Sequence, residues 1–276
     1  AAHVVGNLYQ NLPQDPRREW FRLPGFVHQM IERGWLGDKS GQGFYRREKK
    51  GEILALDWKT LEYRPRQKVR LPSVEMANNV EDVRQRLAML LVAGDKASGF
   101  LWDLWSEVFV YAAGLVGEIC DRVVEVDRAI RWGFNRQLGP FEAWDALGVE
   151  KVVGRLKKEG RAVPNNVERM LAAGARSFYQ AAEGKLGVLY FDLARGAYTE
   201  LEARPGIVVL EDLKRAKREI KRNAGASLID LGDGVLNVQF HAKMNAIDDQ
   251  IIAMLNRGMD EAEKNGVGLV VANDGP

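Results

Sequence analysis

Few side chains in this chain are of the kinds that do chemistry, and most of them sit in unhelpful company. The histidines are His3, His28 and His241, and the lone cysteine is Cys120. His28 falls inside the periodic run Phe26, Val27, Met30, Ile31 and reads as a surface or boundary residue of an amphipathic helix. His241 ends an alternating, strand-like run. Cys120 closes the apolar stretch Val116-Gly117-Glu118-Ile119-Cys120 and reads as a small core residue of a helix rather than a reactive thiol. A single cysteine also rules out an internal disulfide, which fits a reducing compartment. The remaining candidate is the loop Gly37-Asp38-Lys39-Ser40-Gly41-Gln42-Gly43. Lys39 could meet a phosphate there as a point charge, or could be a solvated loop lysine. The glycines precede the aromatic pair Phe44-Tyr45 rather than a helix, so they do not form a phosphate cradle. No G-x-G-x-x-G follows a strand and opens a helix, so the dinucleotide fingerprint is absent.

The elements that would position these residues fill a chain of 276 residues, enough for two domains or a little more. The net charge of +2 is too small to attract nucleic acid or a membrane over distance. No apolar run approaches the ~20 residues of a membrane span, and no signal peptide opens the chain, so a cytoplasmic location is expected. The chain starts without Met and stops straight after an apolar run; a fragment cut through structure is the expectation.

Pro24 and Gly34 bracket one amphipathic helix. Residues 46 to 72 are basic and poor in apolar residues, and read as an irregular connection with a solvated charged surface. Helical spacing returns at Val83, Leu87, Leu90, Leu91, and runs through Phe100, Leu104, Trp105, Val108, Tyr111, Ala112, Leu115 and Ile119. A short helix ends at Gly133, and Pro140 opens another that ends at Gly148. Trp102, Trp105, Trp132 and Trp144 read as core or subunit contacts. The segment Pro164 to Gly174 resembles Pro24 to Gly34, 140 positions earlier, and suggests a duplicated unit. Residues 211 to 222 read as a charged helical connector anchored by Leu213, Ala216 and Ile220. Beyond Gly225 the period changes: a strand at Leu228 to Leu231, a turn at Gly232-Asp233-Gly234, a strand from Val235 to Phe240, a helix capped by Asp248 or Asp249, and an apolar strand at 267 to 272.

Three stretches, in order, resemble one family. Gly34-Trp35-Leu36-Gly37-Asp38-Lys39-Ser40-Gly41-Gln42-Gly43-Phe44-Tyr45 is similar to the closing signature of the helical C-terminal domain of 3-hydroxyacyl-CoA dehydrogenases, with Ser40 where Thr is commoner. Val126 to Phe134 followed by Leu138-Gly139-Pro140-Phe141-Glu142-Ala143-Trp144-Asp145-Ala146-Leu147-Gly148 resembles the core of that domain in its second, degenerate copy. His241-Ala242-Lys243-Met244-Asn245-Ala246-Ile247-Asp248 looks like the opening of the crotonase, or enoyl-CoA hydratase, fold.

The resemblance implies a mainly α chain, a duplicated helical dehydrogenase domain followed by an incomplete crotonase-like α/β piece. Its expected divisions are 1–47 and 80–193 for the two helical domains, 48–79 and 194–224 for linkers, and 225–276 for the hydratase start. It implies a parent enzyme that oxidises 3-hydroxyacyl-CoA with NAD, using a His–Glu pair, in fatty-acid β-oxidation. The nucleotide-binding domain and catalytic histidine of the family lie outside this chain, and so do the hydratase oxyanion-hole residues and glutamates. No catalytic, cofactor-binding or metal residue is therefore expected. Three residues are candidates for the CoA of an acyl-CoA substrate: Lys39 for a phosphate, and Met244 and Asn245 near the adenine. The expected partners are a second copy or a thiolase-type subunit. The competing expectation is a non-catalytic helical scaffold or subunit-docking module.

Overall fold

The computed structural model describes residues 2–48, 51–80, 82–182, 187–202, 206–242 and 245–273. The chain forms two compact units, Ala1–Glu75 and Met76–Pro276.

The first unit opens with α1 (Ala2–Asn11) and then α2 (Gly25–Glu32). Pro24 precedes α2 in an extended conformation, and its carbonyl accepts the Val27 N–H at 2.9 Å. Gly34 takes φ 72° at the helix exit, where the Trp35 N–H donates to the Met30 carbonyl. Such a left-handed exit costs a glycine no Cβ clash. A sheet follows: β1 (Tyr45–Arg47), β2 (Ile53–Asp57) and β3 (Glu62–Pro65), all antiparallel. Here the structure corrects the reading of residues 46 to 72 as irregular. The strands are three to five residues long and none of their residues is fully buried, so neither length nor apolar alternation marks them.

In the second unit, α3 (Pro72–Ala77) crosses the boundary, and α4 (Val83–Val92) and α5 (Lys96–Leu115) begin the helical layer. Asp82 and Asp95 cap α4 and α5 through bonds from the Gln85 and Ser98 N–H groups. Helix α5 stops at Leu115, so Cys120 lies in a turn after the helix, with its thiol 3.6 Å from the Arg122 carbonyl. Then come α6 (Val123–Phe134), α7 (Pro140–Leu147), α8 (Val149–Lys158) and α9 (Asn165–Ala172). They surround one core that includes Phe109, Phe141, Trp144, Leu156, Met170 and Phe178. Trp102 belongs to it as well, whereas Trp132 is 60% exposed. A second antiparallel sheet, β4 (Tyr179–Ala181), β5 (Val188–Asp192) and β6 (Ala197–Glu200), closes this core.

The suspected duplication extends well beyond one helix. Helices α2 and α9 share the preceding proline, a buried methionine (Met30 and Met170) and the left-handed glycine. Each leads into a three-stranded sheet. Tyr45 pairs with Ala55 as Tyr179 pairs with Tyr190, and the Asp57 and Asp192 side chains accept backbone N–H groups in the same hairpin turn. The left-handed position there is Leu61 in one sheet and Gly196 in the other. The Tyr63 hydroxyl donates to the Gly43 carbonyl, and the Tyr198 hydroxyl to that of Ser177. Helices α1 and α8 correspond too, through His3-Val4-Val5-Gly6-Asn7-Leu8 and Lys151-Val152-Val153-Gly154-Arg155-Leu156.

The last part forms a third sheet in the order β10-β9-β8-β7. Its strands are β7 (Glu219–Arg222), β8 (Ala226–Gly232), β9 (Val235–Phe240) and β10 (Gly268–Val271), the last parallel to β9. Residues 211 to 222 are therefore not one helical connector. Helix α10 (Leu210–Arg215) ends early, and the chain returns as an edge strand. Leu210 and Leu213 cover Ile229 on one sheet face. Helix α11 (Asp249–Asn265), capped by Asp248, covers Leu228, Leu236 and Val238 on the other. Residues 210 to 265 thus place apolar cover on both faces of this sheet. With 47% helix and 19% strand in three small sheets among the described residues, the fold is a mixed α/β arrangement, not a mainly α one.

Candidate functional site

The most unusual group of side chains gathers where α6, α7 and β4 meet. Gly139 precedes α7 and has no side chain with which to cap it. Asp127 of α6 supplies the cap from outside. Its carboxylate accepts the N–H groups of Phe141 at 2.9 Å and Glu142 at 3.1 Å. Those are among the orphan donors of a helix start, where the helix dipole favours negative charge. The Tyr179 hydroxyl donates to the same carboxylate at 2.8 Å. A Cβ on Gly139 would run into Asp127 itself, so this close approach requires glycine. Glu142 accepts the Gly139 N–H at 3.0 Å and pairs with Arg131 at 3.2 Å.

One turn further along α7, Asp145 fastens the sheet. It accepts the Phe178 N–H at 2.7 Å and the Tyr179 N–H at 2.8 Å. Phe141 and Trp144, on the same side of α7, pack on Phe178 with ring centroids 4.7 and 5.4 Å apart. Positions i, i+3 and i+4 of one helix therefore hold the sheet through two rings and one carboxylate.

Asp127 is only 3% exposed. Burial first, and then the charge of Glu142, push its carboxyl up to about 8, against the pull of the Phe141 N–H, the Tyr179 hydroxyl and the Glu142 N–H. Burial, with the Asp127 charge behind it, holds the Tyr179 phenol well above its ordinary value. Arg84, Glu142, Asp145, Tyr179, Gln180, Ala181 and Val188 line a shallow cavity of about 210 Å³ beside the cluster. That is below the ~300–1,000 Å³ typical of small-molecule sites. Each carboxylate is already engaged with backbone donors, so the cluster joins elements rather than moving protons. No group of three or more His, Cys, Asp or Glu among the described residues could hold a metal.

The residues singled out by sequence are not brought together here. Lys39 is exposed, in a loop that Ser40 organises: its hydroxyl receives the Leu36 N–H and lies within 3.1 Å of the carbonyls of Gly37 and Gln42. A Cβ on Gly43 would come within 2.8 Å of the Gly37 Cα, which explains the glycine without a ligand. Met244 lies outside the described residues. Asn245 has φ 53° and donates its N–H to the Ala242 carbonyl, a turn role that suits asparagine. Lys39 and Asn245 belong to different units. His241 lies at 2.9 Å from the Ser227 hydroxyl, which also bonds Glu219. Ser227 is fully buried, so the trio is a sheet-face network without an exposed nucleophile. Asp127 and Asp145 were hidden within the 126–148 motif. The one signal available was an aspartate on the apolar side of α6, ahead of a helix start whose own cap position is glycine.

Two curated proteins resemble this chain. It is 40% identical over 274 residues, 99% of its length, to a probable 3-hydroxyacyl-CoA dehydrogenase of Bacillus subtilis. It is 24% identical over 255 residues to a putative fatty acid oxidation complex trifunctional enzyme of Rickettsia felis. The chain spans 34% and 30% of the lengths of these relatives. No family model and no solved structure matches it. The Bacillus similarity runs through residues 225 to 276 as through the rest, under a dehydrogenase name. The expected crotonase-like piece therefore finds no support in it.

Proposed function

We propose that this chain is a segment of an NAD-dependent 3-hydroxyacyl-CoA dehydrogenase of fatty-acid oxidation, to which it supplies helices on the substrate side and at a dimer contact. The observation that carries the reading is the 40% identity along almost the whole chain. The role is one of framework, because Asp127, Glu142 and Asp145 are each taken up by backbone N–H groups, with Asp127 joining helix to helix and Asp145 helix to sheet. Phe100, Leu104, Trp132 and Phe134 of α5 and α6 are all exposed apolar side chains, which suits a subunit contact. Within this reading Lys39 is the cation offered to a CoA phosphate, on a loop that Ser40 and Gly43 keep in shape.

The test is NADH formation from a 3-hydroxyacyl-CoA. The full-length protein should produce it and the purified chain should not. Full-length protein without activity would sink the dehydrogenase reading, and turnover by the repurified chain would sink the framework role. A second reading, a non-catalytic docking module, is favoured by the same exposed side chains of α5 and α6. Light scattering tests the contact that both readings share: a chain that stays monomeric at all concentrations counts against self-association.

A further inference from the structure

The two repeats differ in what covers them. In the second, Phe178 is fully buried under Phe141 and Trp144, and Asp145 takes the N–H groups of Phe178 and Tyr179. Their counterparts in the first repeat, Phe44 and Tyr45, are 56% and 59% exposed. The Phe44 N–H has no acceptor among the described residues. Trp58, which matches the buried Leu193, is 58% exposed. Val4 of α1 is 59% exposed, whereas its match Val152 in α8 is 3% exposed. In the second unit Phe178 lies against α7 directly, and Val152 and Leu193 belong to the same buried core. Positions facing inward within the repeat, such as Met30 and Met170, are buried in both.

We propose that this face of the first unit receives a helix of the α7 kind, with aromatic residues at i and i+3 and an aspartate at i+4. The aromatic pair would cover Phe44 and Trp58, and the aspartate would accept the Phe44 and Tyr45 N–H groups. The helix comes from the same polypeptide in its full-length form, so the proposal rests on the reading above that this chain is a segment. A second copy cannot provide it, because α7 is spent: Phe141 and Trp144 are fully buried and Asp145 is bonded within its own unit. The relatives have the length to supply it, since this chain spans 34% of the Bacillus protein.

Hydrogen exchange read by mass spectrometry tests this independently of activity. The Phe44 and Tyr45 amides should exchange at least about tenfold more slowly in the full-length protein than in this chain. Trp58→Asp should lower the melting temperature of the full-length protein more than that of this chain, where Trp58 packs only on Phe26 and Lys59 among the ring contacts of the described residues. Replacing the aspartate of the docked helix with alanine should restore fast exchange at Phe44 and Tyr45. Equal exchange in the two proteins, or an equal shift from Trp58→Asp in both, would overturn the proposal. So would protection that appears in this chain alone as its concentration rises, which would make the occupant a second copy.

Discussion

Asp127 shows how much one side chain can settle. It caps a helix that cannot cap itself, receives a tyrosine hydroxyl, and is buried while doing both. Truncating it to alanine strands two backbone donors and a phenol away from water. The expected cost is about 2–4 kcal/mol in urea unfolding, since each buried unpaired group costs ~1–3 kcal/mol. The pH dependence follows from its raised pKa. The folded state keeps the Asp127 proton up to about 8, while an ordinary carboxyl releases it near 3.8. Between those values the folded state binds more protons than the unfolded one, so this contribution falls as pH rises. Asp127→Asn removes that slope; urea midpoints measured from pH 4 to pH 8 should fall in the wild type and stay flatter in the variant. A sequence reading could not isolate this residue, because its partners lie 14, 15 and 52 positions away.

At the scale of elements, α5 was legible because it is long and periodic, whereas the sequence reading placed no helix at α8. The predicted run from Phe100 to Ile119 matches α5 as far as Leu115 and overshoots it by the turn that holds Ile119, while Pro140 opens α7 where the sequence places it. The short strands β1 to β3 were not legible, since three to five residues carry too little pattern. Two glycines near α6 illustrate the difference between a necessary and an incidental one. Gly133, inside α6, has nothing within 4 Å of a built Cβ. Gly133→Ala should stabilise the protein by about 0.5–1 kcal/mol through helix propensity. Gly139→Ala collides with Asp127 and should destabilise it by about 2 kcal/mol or more, as overpacking typically does. Thermal melts of the two variants should move in opposite directions; a downward shift for both would contradict the geometry around α6.

For the whole molecule, the repeat was visible in the sequence only as a proline, a methionine and a glycine at matching offsets. Six extra residues between helix and sheet in the first copy shift the register, so the sheets fall out of phase with the helices. Hydrogen bonds rather than identities reveal the match. The two units differ in how much they bury: most of the fully buried side chains lie beyond residue 76, and α1 has none. Native-state hydrogen exchange should therefore show amides of the first unit opening at lower free energy than those of α5 and α7. The third sheet has a further consequence for how the molecule behaves in company. One edge strand, β7, carries Glu219, Lys221 and Arg222; the other, β10, is Gly268-Leu269-Val270-Val271 and pairs on its outer side with no strand among the described residues. A charged edge repels strand addition, while a bare apolar one acts as a template for it. Loss of material on concentrating the chain should therefore begin at this valine-rich rim, where a single lysine in place of Val270 would act as a guard.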